Sequence, residues 1–190
     1  MKEIRAYIEE FAKISNADWD LFSSKLVARS FSKKNIFLKA GTVEDHISFL
    51  QEGTVRLYIP KEDSDKEITF GFCFENQFVS AYDSFLSRNV SSHAIQALTD
   101  IKLLSITYED LQKVYEKTKI GNLIGRLTAE NLFLDKSRRL QSLLDQSAEE
   151  RYLSIFKERP HLIKEIPLKY ISSYIGVTPQ ALSRIRKRIS

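Results

Sequence analysis

Between residues 27 and 106 the sequence breaks into short runs rich in β-branched and aromatic residues. Examples are "IFL", "ISFL", "VRLYI", "ITFGFCF" and "IKLLSI", separated by the turn signals "KKN", "KAG", "QEG" and "PKEDSDKE". Side chains of this kind suit a pleated, half-buried surface, and Gly, Pro, Asn and charge clusters reverse the chain between them. Many short strands at this spacing pair as an antiparallel sandwich or barrel rather than as a parallel sheet. In "ITFGFCF", Ile68, Phe70, Phe72 and Phe74 alternate with Thr69, Gly71 and Cys73. The period of two puts the aromatic stripe on one face, which is expected to lie in the core.

Helical periodicity flanks this zone on both sides. Residues 1–26 read as helix: "MKEIRAYIEEFAKI" is amphipathic, and Ser15 is placed to cap a helix with Asp18 three residues on. Ile14 can staple to Trp19 across that cap. From about Tyr108 the helical period returns, with Ile120, Leu127 and Leu134 recurring at seven, joined by Leu123, Ile124 and Leu140. Such a seam, with Lys136, Arg138 and Arg139 outside it, suits either a coiled-coil dimer contact or a helix packed on the β-domain. Glu130 and Asn131 interrupt it, and both readings stay open. Ser147-Ala-Glu-Glu150 is a capping box that starts a fresh helix through "ERYLSIFKE", which ends before Arg159-Pro160. The expected domain boundary lies at about 143–148.

The 190 residues are 43% hydrophobic and 28% charged, a globular composition with no apolar run of transmembrane length and no secretory leader. A cytoplasmic protein is expected. Cys73 is the single cysteine, which excludes an internal disulfide, a cysteine-based zinc site and an all-cysteine iron–sulfur cluster within one subunit. Charge is unevenly placed. The first 165 residues hold 24 basic and 25 acidic groups, whereas Lys169, Arg184, Arg186, Lys187 and Arg188 follow with no acid among them. A basic end on a neutral body is the footprint of a polyanion binder.

That end reads "IPLKYISSYIGVTPQALSRIRKRIS". Pro167 suits a first helical turn, and Leu168, Ile171 and Ile175 share one face, with small Ser172 where a neighbour must approach closely. Gly176 can take the left-handed conformation that stops the helix. Thr178 then caps a second helix with Pro179 at its first position. Leu182, Ile185 and Ile189 face inward, and Gln180, Ser183, Arg184, Lys187 and Arg188 face outward. The pattern is a helix-turn-helix. Gln pairs with adenine, Arg with guanine and Ser with either, so Gln180, Ser183 and Arg184 are the candidate base readers. Lys169, Thr178, Arg186, Lys187 and Arg188 are candidate phosphate contacts.

Helices, β-roll, long helix and terminal helix-turn-helix, in that order, resemble the Crp/Fnr family of bacterial transcription regulators. "HISFLQEGTVRLYIPKEDSDKEITFGFCFENQFVSAY" resembles the family's cyclic-nucleotide-binding-like effector domain, with Leu50, Gly53, Val55, Leu57 and Tyr58 at the positions of its strand motif. "IGVTPQALSRIRK" is similar to the family's recognition motif. The resemblance implies an α+β fold: N-terminal helices, an antiparallel β-roll of the double-stranded β-helix or jelly-roll type, a dimerisation helix at about 118–145, and a C-terminal helix-turn-helix. The implied domains are 1–145, the effector domain with its dimer helix (Ile120, Leu123, Leu127, Leu134), and 146–190, the DNA-binding domain.

Departures from the family pattern narrow the ligand. Cyclic-AMP-responsive members carry a Glu for the ribose and an Arg for the cyclic phosphate; here those positions read Ala81 and Ser91. A buried phosphate without a cationic partner is costly, so little or no cyclic AMP binding is expected. Arg88, three residues upstream, is expected in solvent at a loop tip. The candidate effector pocket comprises Phe70, Phe72, Val79, Ser80, Ala81, Tyr82, Ser91, Ser92 and His93, with the ligand unknown. Haem bound through His46 or His93 rests on isolated histidines alone. With Ser190 as the last residue, the β-hairpin wing that follows the recognition helix in many members is expected to be missing or very short.

The expected protein is a homodimeric, sequence-specific DNA-binding regulator of a two-fold symmetric site, working with RNA polymerase and a possible small-molecule effector. The alternative is a ligand-sensing β-roll that acts through protein contacts. No enzyme is expected. His46, His93 and His161 are isolated, a cupin-like metal site needs clustered ligands, and no nucleophile motif is present.

Overall fold

The computed structural model of the chain describes residues 1–158 and 166–189. Two helices open it, α1 (Lys2–Glu9) and α2 (Asn16–Ser24), followed by β1 (Val27–Phe31), β2 (Ile36–Leu38), β3 (His46–Glu52), β4 (Val55–Ile59), β5 (Ile68–Cys73) and β6 (Gln77–Val79). Helix α3 (Tyr82–Ser87) precedes β7 (Ala94–Ala97) and β8 (Ile101–Thr107). Helices α4 (Tyr108–Lys117), α5 (Gly121–Asp145), α6 (Ala148–Glu158), α7 (Leu168–Ile175) and α8 (Pro179–Ile189) follow. The class is α+β. His161 lies outside the described residues.

Local signals act as the sequence implies. Ser15 Oγ accepts from the Asp18 N–H at 3.1 Å and starts α2. Ser147 and Glu150 form the reciprocal box at α6: Ser147 N–H donates to Glu150 Oε2 at 2.7 Å, and Glu150 N–H donates to Ser147 Oγ at 3.2 Å. The strands form two antiparallel four-stranded sheets, ordered β1-β8-β3-β6 and β2-β7-β4-β5.

In the first sheet Ile47 pairs with Ile106 and Phe49 with Leu104, while Ser48 pairs with Ser105 and Leu50 with Leu103. Alternation therefore makes two buried faces from one strand pair. Phe49, Leu104 and Ile106 join Ile4 and Ile8 of α1, Phe22 of α2, and Leu111 and Val114 of α4 in one core. Phe49 meets the rings of Tyr7 and Phe78 edge-on at 5.9 and 5.3 Å. On the other face the Ser48 and Ser105 hydroxyls share a buried hydrogen bond of 2.8 Å.

The chain forms two compact units. One comprises Met1–Leu57 with Phe72–Asn131; the other comprises Tyr58–Gly71 with Leu132–Ser190. The core above belongs to the first. In the second, Tyr152, Ile171, Ile175, Leu182 and Ile185 are buried.

The aromatic stripe of β5 is not core. Thr69 is 1% exposed, Ile68 is 44% exposed, and Phe70 and Phe72 are half-buried. β5 is an edge strand, and its inward side carries the small residue. Lys136 Nζ lies 5.6 Å from the Phe70 ring on the other. None of the described helices is long and apolar enough to cross a membrane.

Candidate nucleic-acid interface

Helices α7 and α8 are joined by a three-residue turn whose geometry follows from its residues. Gly176 holds φ 81° and ψ 34°, the left-handed conformation. Its N–H donates to the Ser173 carbonyl at 3.1 Å, and the Val177 N–H donates to Ser172 O at 2.9 Å. That pair of bonds is a Schellman stop. Thr178 Oγ1 accepts from the Ala181 N–H at 3.2 Å and caps α8, which begins at Pro179.

Leu182 and Ile185 turn inward, 1% and 6% exposed, against Ile171 and Ile175 of the same buried set. Ser172, also 1% exposed, is the small residue of that packed face. Two expected inward residues do not belong there: Leu168 and Ile189 sit at helix ends and stand 40% and 37% exposed. Gln180, Ser183, Arg184, Arg186, Lys187 and Arg188 are all exposed on α8, and Lys169 and Thr178 are exposed beside it. Among the described residues Arg184 and Lys187 pair with no carboxylate, whereas Arg188 Nη2 is 2.7 Å from Glu149 Oε2. An exposed pair of this kind contributes at most about 1 kcal/mol. The Lys169 ammonium lies 5.3 Å over the Tyr170 ring.

Two arginines, one misplaced by sequence reasoning and one passed over, fix the end of α7. Arg139, read from the sequence as an exposed cation, is half-buried; its guanidinium bonds the Tyr174 carbonyl and lies 3.9 Å from the Tyr174 ring centre. Arg151 Nε donates to Ile175 O at 2.9 Å, and its Nη1 bonds the Gln146 carbonyl. Cations at a helix C-terminus satisfy orphan carbonyls and oppose the dipole. Nothing local in the sequence distinguishes these two from surface arginines.

The expected dimer residues divide. Ile120 precedes α5 and packs against the core of the first unit. Leu127 is half-buried, and Leu123 and Leu134 are 37% and 49% exposed. Phe133, Leu140 and Leu144, seven and four residues apart on the same helix, are 71%, 58% and 78% exposed.

Val79 and Ala81 are buried; Ser80 Oγ donates to His46 O at 2.9 Å, and Ser91 Oγ donates to His93 O at 2.8 Å. Ser92 is exposed, His93 is buried, and Tyr82 is half-buried at the start of α3. Arg88 is not a solvent arginine. It donates to Glu44 O at 2.9 Å and Asp45 Oδ1 at 2.7 Å, and lies 4.4 Å over the Tyr108 ring. Glu44, missed in the sequence, is 6% exposed and accepts from His46 N–H at 2.9 Å and, more weakly, from Ala81 N–H at 3.5 Å. Burial pushes its carboxyl above the ordinary value despite those bonds. The His46 imidazole is pushed down, first by burial and then by the Arg29 cation. Among the described residues no three His, Cys, Asp or Glu side chains gather around one possible metal position.

Residues 28–118 match the family model of the cyclic nucleotide-binding domain. Three solved structures show the fold over most of the chain. A protein from Eubacterium rectale assigned to the Crp/Fnr family of transcriptional regulators superposes with a TM-score of 0.75 at 18% identity, covering 96% of this chain and 87% of its own. CLP, the c-di-GMP-responsive global regulator of Xanthomonas campestris, gives 0.68 at 16% identity, covering 92% and 91%. FixK2 from Bradyrhizobium japonicum gives 0.67 at 17% identity, covering 86% and 84%. No curated protein sequence matches the chain. The fold is thus that of a cyclic nucleotide-binding domain followed by further helices, and Crp/Fnr-type regulators share it.

Proposed function

We propose that the chain is a transcription regulator of the Crp/Fnr type: a cytoplasmic homodimer that reads a two-fold symmetric DNA site and engages RNA polymerase. In this reading α7 and α8 are the helix-turn-helix, Gln180, Ser183 and Arg184 meet base edges, and Lys169, Thr178, Arg186, Lys187 and Arg188 meet phosphates. The observation that carries it is the two-sided character of α8. Leu182 and Ile185 are buried on one side, and the other side exposes Gln180, Ser183, Arg184 and Lys187 with no acid in the helix. A hairpin that merely closed a domain would not need an acid-free outer face behind a glycine stop and a threonine cap. The β-roll, of jelly-roll type, is the effector domain, and no enzymatic activity is proposed.

Cyclic AMP is not the proposed effector. Ala81 and Ser91 supply neither the carboxylate nor the guanidinium that a cyclic nucleotide needs, Arg88 is engaged by the Glu44 carbonyl and Asp45, and the buried Glu44 carboxyl lies beside the Ala81 N–H.

The test is a gel-shift series on a palindromic promoter fragment at several salt concentrations. Binding is expected to weaken steeply with salt, as phosphate contacts release counterions. Arg184→Ala is expected to relax base preference, and Lys187→Ala to weaken all sequences alike with a shallower salt slope. No binding at low salt, or an unchanged preference in Arg184→Ala, overturns the reading in favour of output through protein contacts.

A further inference from the structure

Within the second unit, one hydroxyl ties α7 to the edge of the second sheet. β5 is an edge strand, and an edge leaves backbone N–H and C=O groups without a ladder partner. Ser173 of α7 meets two of them: its Oγ accepts from the Thr69 N–H at 2.9 Å and donates to Glu67 O at 2.7 Å. Residues two apart on a strand turn their backbone groups to the same side, so one side chain can reach both. A hydroxyl is the small group that donates and accepts at once. The bonded residues lie 104 and 106 positions apart in sequence, and all three belong to the second unit.

The same residue takes part in the stop of α7. The Ser173 carbonyl accepts from the Gly176 N–H at 3.1 Å. At the next residue, the Arg139 guanidinium of α5 bonds the Tyr174 carbonyl and lies over the Tyr174 ring. Two successive residues just before the turn are thus held, one by the strand edge and one by the long helix. Helix α8 follows directly and contacts α7, with Leu182 and Ile185 buried. A tilt of α7 therefore carries α8 with it.

We propose that Ser173 is a positioning residue for DNA reading: its hydroxyl fixes the tilt of α7 on the β5 edge, and with it the separation at which a dimer presents its two recognition helices. The proposal rests on the regulator reading above. Ser173 is not among the residues assigned to bases or phosphates, and it acts through α8. One base pair is about 3.4 Å along the duplex, so helices that rock by a few ångströms accept neighbouring separations that a fixed pair rejects.

The test is a gel shift of the full chain on palindromes whose half-sites stand about one helical turn apart, and one or two base pairs nearer or farther. Affinities are compared across separations within one preparation, so a smaller folded fraction cancels. The parent is expected to prefer one separation. Ser173→Ala is expected to shrink that preference roughly threefold to tenfold, the usual range for one neutral hydrogen bond, and Ser173→Thr to recover it by restoring the hydroxyl. Should Ser173→Ala fail to fold, Ser173→Val against Ser173→Thr makes the same comparison at equal size. Hydrogen exchange reads the tie without DNA: the Thr69 amide is expected to exchange faster in Ser173→Ala, with the β8 amides of the first unit unchanged. An unchanged preference in Ser173→Ala, a loss that Ser173→Thr does not recover, or a Thr69 amide that exchanges no faster overturns the inference. The two readings fail separately. A parent that binds no DNA ends the regulator reading, whereas a selective parent matched by Ser173→Ala ends only the role of Ser173.

Discussion

A methyl group on residue 53 would stand 2.4 Å from the Asp100 carbonyl oxygen and 2.5 Å from Thr99 Oγ1, and Gly53 holds φ 95°. Gly41 has a similar φ of 84° but nothing within 4 Å of its absent Cβ. Strain at one such position costs on the order of 1–3 kcal/mol. Gly41→Ala should therefore show strain alone, and Gly53→Ala strain plus a backbone collision. Urea unfolding is expected to give the larger fall in midpoint for Gly53→Ala, with the slope unchanged in both. The sequence marked "QEG" as a turn from glycine chemistry; it did not reveal the collision, which involves a carbonyl 47 positions away. Glu44 gives a second test at this scale. Its folded carboxyl is raised above 4.5 by burial, so the native state binds that proton more tightly than the unfolded chain. The resulting stability is fully present below about 4.5 and is lost as pH rises through the folded value. Glu44→Gln cannot titrate, so its stability relative to the parent is expected to rise from pH 4 to pH 7. The change with pH is what urea midpoints must show; a flat difference contradicts the assignment. His46, lowered by burial, runs the other way and destabilises on acidification below its ordinary 6.5, in parent and variant alike.

At the scale of elements, what was legible obeys range. Ser15, Ser147 with Glu150, Gly176 and Thr178 are caps and stops that act within one turn, and each does in the structure what its neighbours imply. The runs that form β2, β3, β4, β5 and β8 were legible because alternation is local. The short β1, β6, β7 and α3 were not, since three to five strand residues and six helical ones carry too little period to register. Burial at element ends was not legible either: Leu168 and Ile189 fit the helical period but lie beyond the packed neighbours. Arg139 and Arg151 required the fold itself, because their acceptors sit 35 and 24 residues away. Their role is testable. Arg151→Met keeps the aliphatic stem and removes the donors, leaving Ile175 O and Gln146 O without that partner; an unmade bond of this kind costs about 1–3 kcal/mol. Hydrogen exchange of the α7 amides is expected to accelerate more than that of α1, which belongs to the other unit. Equal acceleration in both would mean global destabilisation and no local anchoring.

For the whole molecule the question is what covers α5. Phe133, Leu134, Leu140 and Leu144 expose between 49% and 78% of their surface on one helix, a concentration that soluble monomers seldom carry. A second copy is the occupant that the proposed function requires, because a single recognition helix reads few base pairs and usable specificity needs two half-sites about one turn apart. The seven-residue reading included Leu123, Leu134 and Leu140 but neither Phe133 nor Leu144: it followed the row through Ile120, which the first unit's core already holds. Replacing Phe133 and Leu140 together by Lys places two cations on that face without touching the core of either unit. Sedimentation is expected to show a monomer of about 22 kDa where the parent is a dimer, with circular dichroism unchanged. DNA affinity should then fall by roughly 10²-fold or more, the advantage of linked half-sites, while the remaining weak binding keeps its salt dependence because every α8 cation is still present. A double variant that stays dimeric with full affinity would place the dimer contact elsewhere. One that becomes monomeric and still binds the palindrome as tightly would mean that a single copy of α8 suffices, and the two-fold site would lose its physical reason.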